Sequence, residues 1–259
     1  MLMSGEPLHR MDPTRRFSHV VNDYARYRPD YPPAAIDAVV EGMGYAGMLS
    51  VADVGAGTGI FSRQLADRGA LVVAVEANEH MLAACPEHAR ILPQVGTAEA
   101  TGLCDSSVDL VTCAQAFHWF EPEAALREFH RILRGLGRLA VLWNTRDPED
   151  PMTAGYSAAI RKASENHPAE SRMDEARGFA QSALFTNLRE HRVPHEQRMT
   201  LDGLIGRARS ASYCPTEGPA LATLIEELAS LHARYADAQG AVSMRYVTRV
   251  FLAEPVARV

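Results

Sequence analysis

Two short stretches hold the residue types that chemistry needs. The first is "DVGAGTG", residues 53–59, where Gly55, Gly57 and Gly59 alternate behind Asp53. Glycine accepts positive φ and lets the backbone approach a ligand closely, so such a turn suits a nucleotide-like ligand. The second is "TCAQAFHWFEPE", residues 112–123, where His118 stands among aromatic side chains. An imidazole titrates near neutrality, so His118 is a candidate general base. It is equally a candidate for hydrogen bonding or support in a pocket walled by Trp119 and Phe120. The dinucleotide fingerprint G-x-G-x-x-G needs a third glycine at position 60, which is Ile60, and this argues against a nicotinamide dehydrogenase. There is no G-x-S-x-G elbow to suggest an acyl-transfer serine.

The elements that must position these stretches form an alternating series. "AAIDAVVEGM" follows Pro32 and Pro33 with helical spacing. "LSVADVGAGTG" is a buried strand entering the glycine turn, and "IFSRQLADRG" is a helix that Gly69 ends. "ALVVAVEA" is a second strand, apolar throughout, as befits a strand covered on both faces. "NEHMLAACP" is a helix capped by Asn78 and stopped by Pro86. Strands follow in "ARILPQVGTAEA", "SVDLVTCAQAF" and "GRLAVLWNT", with the amphipathic helix "EPEAALREFHRIL" between the last two. Strand and helix in alternation, without hairpin signals, imply parallel pairing and right-handed crossovers. The expected fold is α/β, a Rossmann-like doubly wound sheet of seven strands, mostly parallel with an antiparallel last strand.

One domain is expected over 1–259: a lid segment at 1–32, a ligand-binding core at 33–146, a helical cap insertion at 147–190, and the rest of the sheet at 191–259. In that last part "HRVPHEQRMTL" and "VSMRYVTRVFLA" alternate like strands, and "EGPALATLIEELASLHARYA" is an amphipathic helix. The 259 residues are 47% hydrophobic and 22% charged, which suits a globular protein with a full core. A net charge of -6 argues against coating nucleic acid. "MLMSGEPLHR" lacks the apolar centre of a signal peptide, and no apolar run reaches the roughly 20 residues of a membrane helix. The expectation is a cytoplasmic protein without membrane partners, monomer or homodimer. Cys85, Cys104, Cys113 and Cys214 show no metal-ligand spacing, so no metal is assigned.

"VADVGAGTGIFSRQLADRGALVVAVEAN" resembles the cofactor-binding half of class I S-adenosylmethionine-dependent methyltransferases. "GTAEATGLCDSSVDLVTCAQAFHWFEPEAALREFHRILRGLGRLAVLWNTRD" is similar to the continuation in the methyltransferase type 11 group. With "FSHVVNDYARYRPDYPP" the likeness extends to the trans-aconitate-methyltransferase-like small-molecule branch. The resemblance implies S-adenosylmethionine as cofactor, S-adenosylhomocysteine as product, and roles for matching positions. Gly55, Ala56, Gly57 and Gly59 would lie under the methionine moiety, and Asp53 would hold their loop or reach the amino group through water. Glu76 would bind the ribose, with Ala77, Asn78 and Met81 beside it. Ala98 and Glu99 would border the adenine, and Gln115 the methionine moiety. Tyr24 and Arg28, on a segment that folds over the cofactor, would face its carboxylate. One departure is visible: the usual R-P-G-G turn is Arg134, Gly135, Leu136 and Gly137 here.

The acceptor side draws on Tyr27, His118, Trp119, Phe120, Trp143, Asn144, Arg209, Ser212 and Tyr213, with Trp143 and Asn144 expected to face one cavity from the end of the fifth strand. Two acceptor classes stay open. One is the nitrogen or hydroxyl of a planar heterocyclic secondary metabolite, favoured because aromatic walls outnumber cations. The other is the carboxylate of a small di- or tricarboxylic acid. A catalytically silent cofactor-binding protein on the same fold is the third reading.

Overall fold

A computed structural model describes residues 20–167, 179 and 181–258. Its centre is a seven-stranded sheet in the order β3-β2-β1-β4-β5-β7-β6. The strands are β1 Ser50–Val54, β2 Leu71–Glu76, β3 Ile91–Val95, β4 Val108–Ala114, β5 Leu133–Arg146, β6 Phe185–Met199 and β7 Val242–Pro255. β1 to β5 pair in parallel, and β7 runs antiparallel between β5 and β6. The order reverses at β1, which has β2 on one side and β4 on the other. In such sheets ligands bind beyond the strands' carboxyl ends at this reversal.

Helices α2 Pro33–Val40 and α3 Ile60–Asp67 cover one face, where Ile36, Val39, Phe61 and Leu65 meet Val51, Leu110, Ala140 and Leu142. Helix α5 Pro122–Ile132 covers the other, with Leu126, Phe129 and Ile132 against Val111, Leu139 and Val141. The short α4 Glu79–Ala83 follows β2, its Asn78 cap accepting from the N–H groups of His80 and Met81. A third cluster joins α6 Pro151–Ala163, α7 Leu201–Arg209 and α8 Gly218–Tyr235 to the first half of β7. Among the described residues no helix is long and apolar enough to cross a membrane.

Three expectations need correction. β6 begins at Phe185, so the strand starts inside the span assigned to the cap; its first residues are exposed on both faces and carry no alternation to read. Of the cap itself, α6 is described, and residues 168–178 lie outside the described residues. Residues 134–137 are a bulge and not a turn: Val108 pairs with Leu133 and Leu110 with Arg138, which pushes Leu136 fully into solvent. Finally, α7 follows β6 over a stretch to which the sequence assigned no element, its Thr200 cap accepting from the Gly203 N–H.

Of the lid assigned to 1–32, residues 1–19 lie outside the described residues, and residues 20–32 are folded down on the sheet's carboxyl edge. Helix α1 Val21–Tyr27 packs on α7, and the Tyr27 ring lies so close to Gly206 that a Cβ there would come within 2.3 Å of it. Gln197 donates to the Tyr27 carbonyl at 3.0 Å, and Asn144 donates to the Asp30 carbonyl at 2.9 Å. Gly206→Val is expected to unseat α1 while leaving the sheet intact. Limited proteolysis should then cut within residues 20–32 at least several-fold faster, with far-ultraviolet circular dichroism unchanged; equal cleavage rates would refute the packing.

Candidate active site

The glycine turn leaves β1 with Gly55, Gly57 and Gly59 all at positive φ, +70°, +58° and +74°. The Gly55 and Ala56 N–H groups both donate to the Val75 carbonyl, at 2.9 and 3.1 Å, which fastens the turn to β2. Glu76 completes this link. Its carboxylate accepts from the Gly57 N–H and the Asn78 N–H, both at 2.9 Å, so it bridges the loops after β1 and β2. Burial raises its pKa and these backbone donors pull it back. Each glycine has its own reason. A Cβ on Gly55 would collide with Ala116 and Phe120, and one on Gly59 with Cys85. A Cβ on Gly57 would meet only the Met81 methyl at 3.4 Å and the Tyr24 ring at 3.9 Å. Gly57 is thus glycine for its backbone shape, and Tyr24 and Met81 flank it.

Asp53 lies beneath the turn, buried. Ser62 on α3 donates to one of its oxygens at 2.6 Å, and Thr112 on β4 to the other at 2.7 Å. Burial raises its pKa to about 6, against the pull of those two hydroxyls. Asp53 also borders a cleft of about 440 Å³, together with Tyr24, Arg28, Tyr31, Gly55, Ala56 and Gln115. Gln115 takes the strained φ of +58° at the exit from β4. Arg28 lies over the Tyr24 ring at 4.7 Å and donates to the Ser210 carbonyl at 3.0 Å. Its Nε is buried without a partner. A positive-φ cradle, an acid at the end of β2 and an orphaned guanidinium N–H on the cleft fit an adenosine ligand that carries a carboxylate.

Other predicted contacts have structural duties. Ala77 is half-buried, and Ala98 is buried in the core on the α5 face. Glu99 accepts from the Glu121 N–H at 2.9 Å, which holds the loop after β3 to the start of α5. Trp143 and Asn144 do not share a cavity, because successive strand residues point to opposite faces. Trp143 is 1% exposed, in the core against Phe251. Asn144 is saturated: it donates to Asp30 and accepts from Thr248 at 2.6 Å. Phe120 packs edge-on against Phe117 and Phe129. Arg209 is exposed, whereas Arg207, unnoticed in the sequence, is buried on the same helix. Ser212 and Tyr213 are half-buried just beyond α7, and Tyr213 stacks on His167. Arg207 shares the helix stripe of Leu204, Ala208 and Ala211; a charge on that apolar stripe was the available signal.

His118 sits on a short 3₁₀ turn, Phe117–Trp119, beyond β4. The Trp143 indole N–H, which can only donate, points to its Nδ1 across a long 3.5 Å. The proton of the neutral ring is therefore assigned to Nε2. Burial, with the Arg28 charge adding to it, lowers the His118 pKa to about 3. His118 is thus a neutral donor, and its basicity is too low to draw a proton from an alcohol at neutral pH.

Comparison with known proteins agrees with this geometry. Residues 52–141 match a family model described as a methyltransferase domain. An uncharacterised methyltransferase of Mycobacterium tuberculosis is 35% identical over 247 residues, covering 92% of this chain and 95% of its own. The chain belongs to the class I S-adenosylmethionine-dependent methyltransferases. The fold matches a putative type II methyltransferase from Anaeromyxobacter dehalogenans, with TM-score 0.60, 23% identity, and coverage of 88% of this chain and 97% of that one. It also matches a Haemonchus contortus phosphoethanolamine N-methyltransferase in complex with phosphomonomethylethanolamine and S-adenosylhomocysteine, with TM-score 0.55, 15% identity, and coverage of 99% of this chain and 62% of that one.

Two outcomes test this methyltransferase's site. Gly57→Val forces a β-branched residue into positive φ, a strain of about 1–3 kcal/mol, and distorts the turn. S-adenosylhomocysteine affinity by calorimetry should fall about tenfold or more, and unchanged affinity would displace the turn from the site. The second concerns pH. A carboxyl whose pKa rises from 3.8 to about 6 on folding stabilises the folded chain fully below about pH 4. That contribution, on the order of 3 kcal/mol, is lost as pH rises through 6. Asp53→Asn cannot ionise, so the wild-type stability should fall relative to the variant between pH 4 and pH 7. Urea unfolding at both ends measures it, and a pH-independent difference would contradict the assigned pKa.

Proposed function

We propose that this methyltransferase transfers the methyl group of S-adenosylmethionine to an oxygen or nitrogen of a small-molecule acceptor. The observation that carries the reading is the Glu76 carboxylate spanning the Gly57 and Asn78 N–H groups beside a positive-φ turn at the sheet's reversal point. The Haemonchus contortus neighbour holds S-adenosylhomocysteine on the same fold, which supports the choice of cofactor. When bound, the cofactor supplies both the electrophilic methyl and its leaving group.

The chain's residues bind and align. Glu76 has lone pairs left for ribose hydroxyls, and Arg28 offers its buried Nε–H to the cofactor's carboxylate. Asp53 stays in place under the turn through Ser62 and Thr112. α1 closes the cleft and excludes water. Holding an acceptor in line is worth roughly 7–11 kcal/mol in well-oriented reactions, so alignment suffices for much of the acceleration. His118 contributes as an Nε2–H donor that orients the acceptor. It does not serve as a base, so the acceptor atom arrives ready to attack, as a carboxylate oxygen does at neutral pH. The case for a flat heterocycle rested on three aromatic walls. With Trp143 in the core and Phe120 packed on Phe117 and Phe129, only Trp119 remains of them, and that acceptor class is not carried forward.

The test has two stages. S-adenosylhomocysteine should raise the melting temperature of the protein, and labelled S-adenosylmethionine should then pass its methyl group to a fraction of small metabolites. Cofactor binding with no transfer to any fraction would favour a silent protein. Once an acceptor is in hand, His118→Gln, which keeps an N–H donor, should hold kcat within about tenfold, while His118→Phe loses about 10²-fold or more. A kcat profile that His118 titrates between pH 5 and pH 8 would reinstate it as a base.

A further inference from the structure

Arg207 is 6% exposed, yet no carboxylate among the described residues forms an ion pair with it. Its Nη1 donates to the Ser210 hydroxyl at a long 3.4 Å, the guanidinium also hydrogen-bonds the Tyr246 side chain, and its Nε is buried with no partner among the described residues. Arg28 reaches the same residue, donating to the Ser210 carbonyl at 3.0 Å, and its Nε likewise has no partner among the described residues. Two guanidiniums thus converge on the fully buried Ser210, and one of them, Arg28, also lines the cleft. They repel each other, since Arg207 helps depress the Arg28 pKa after burial does.

A buried cation normally finds an anion, because desolvating an unpaired charge is costly. Arg207 does not escape by losing its proton. Burial works against its charge, the neighbouring Tyr246, Tyr156 and Tyr213 side chains favour it, and the guanidinium stays above the usual arginine range. Packing does not explain it either, since Leu204, Ala208 and Ala211 already fill the apolar stripe on which it lies. A permanent charge has been placed where the described residues offer no carboxylate as counter-ion. One carboxylate on the cofactor accounts for Arg28 and leaves Arg207 over.

We propose that Arg207 anchors an anionic group of the methyl acceptor, a carboxylate or a phosphate monoester, seated beside Ser210 between α7 and the phenols of Tyr156, Tyr213 and Tyr246. Its planar fork suits either group through two parallel N–H bonds. The inference rests on the proposed methyl transfer for calling the ligand an acceptor. The anion site itself stands on the arginines alone.

Calorimetric titrations of the full chain saturated with S-adenosylhomocysteine test it, using benzoate, phenyl phosphate and the neutral benzamide as probes. At least one anion should bind while benzamide does not, and the preferred anion tells carboxylate from phosphate. Arg207→Gln should weaken that anion about tenfold or more and shift S-adenosylhomocysteine affinity less than about twofold. Arg207→Lys keeps a point charge without the fork and should lose about threefold, which covers the case in which the Gln variant does not fold. Binding of neither anion, or equal binding of benzamide and benzoate, overturns the proposal. Equal loss of anion and S-adenosylhomocysteine in Arg207→Gln would assign the arginine to the cofactor and also overturn it. If S-adenosylhomocysteine does not bind the wild type, the cofactor reading fails separately, and the same titrations without it still decide the anion site.

Discussion

The structure is organised around one buried carboxylate. Asp53 accepts a hydroxyl proton from α3 on one oxygen and from β4 on the other, so a single side chain ties three elements together where the sheet reverses direction. Removing the carboxylate from water costs free energy, visible in its raised pKa, and the two short hydrogen bonds recover part of it. Because both oxygens are committed, the strand end beneath Gly55 has one arrangement. The turn above it, held by Val75 and Glu76, then presents its glycine backbone to the cleft in a fixed shape.

Everything that closes on this turn comes from distant sequence. α1 is seven residues long and has no buried residue of its own, so it cannot persist by propensity alone. Its place depends on Gly206 leaving room for Tyr27, on Gln197 and Asn144 holding the backbone that follows, and on His195 lying 3.4 Å from Asp30. These contacts come from β5, β6 and α7, at sequence separations of 114 residues for Asn144 with Asp30 and 170 for Gln197 with Tyr27. The same closure brings Arg28 against Tyr24 and Ser210, where its charge adds to the burial that depresses the pKa of His118.

The acceptor side shows where sequence reasoning works and where it stops. That Trp143 and Asn144 point to opposite faces follows from strand periodicity, and the error was to treat two adjacent residues as neighbours in space. The burial of Arg207 in place of Arg209 follows from helical phase, yet that phase has meaning only once residues 201–209 are known to be helical. Two glycines in that segment argue against a helix, and tertiary packing overrides them, Gly206 being required by Tyr27. Similarly, Glu99 and Asn144 carry polar groups suited to a ligand, but each is engaged by backbone from another part of the chain, Glu99 by the Glu121 N–H and Asn144 by the Asp30 carbonyl.

By itself the sequence determined the alternating α/β order, the glycine turn, the acid at the end of β2 and the family to which they belong. These are local signals: hydrophobic period, chain-breaking residues and fixed spacing along one strand–turn–helix unit. Only the tertiary structure decided which polar groups remain for a ligand, because that depends on partners far apart in the chain. It placed Trp143 in the core, engaged Asn144 with Asp30 and Thr248 and Glu99 with the start of α5, and left Arg28 and Arg207 near one another, each with an unspent N–H group. A side chain's type states what it can bind, whereas its surroundings state what it has already bound.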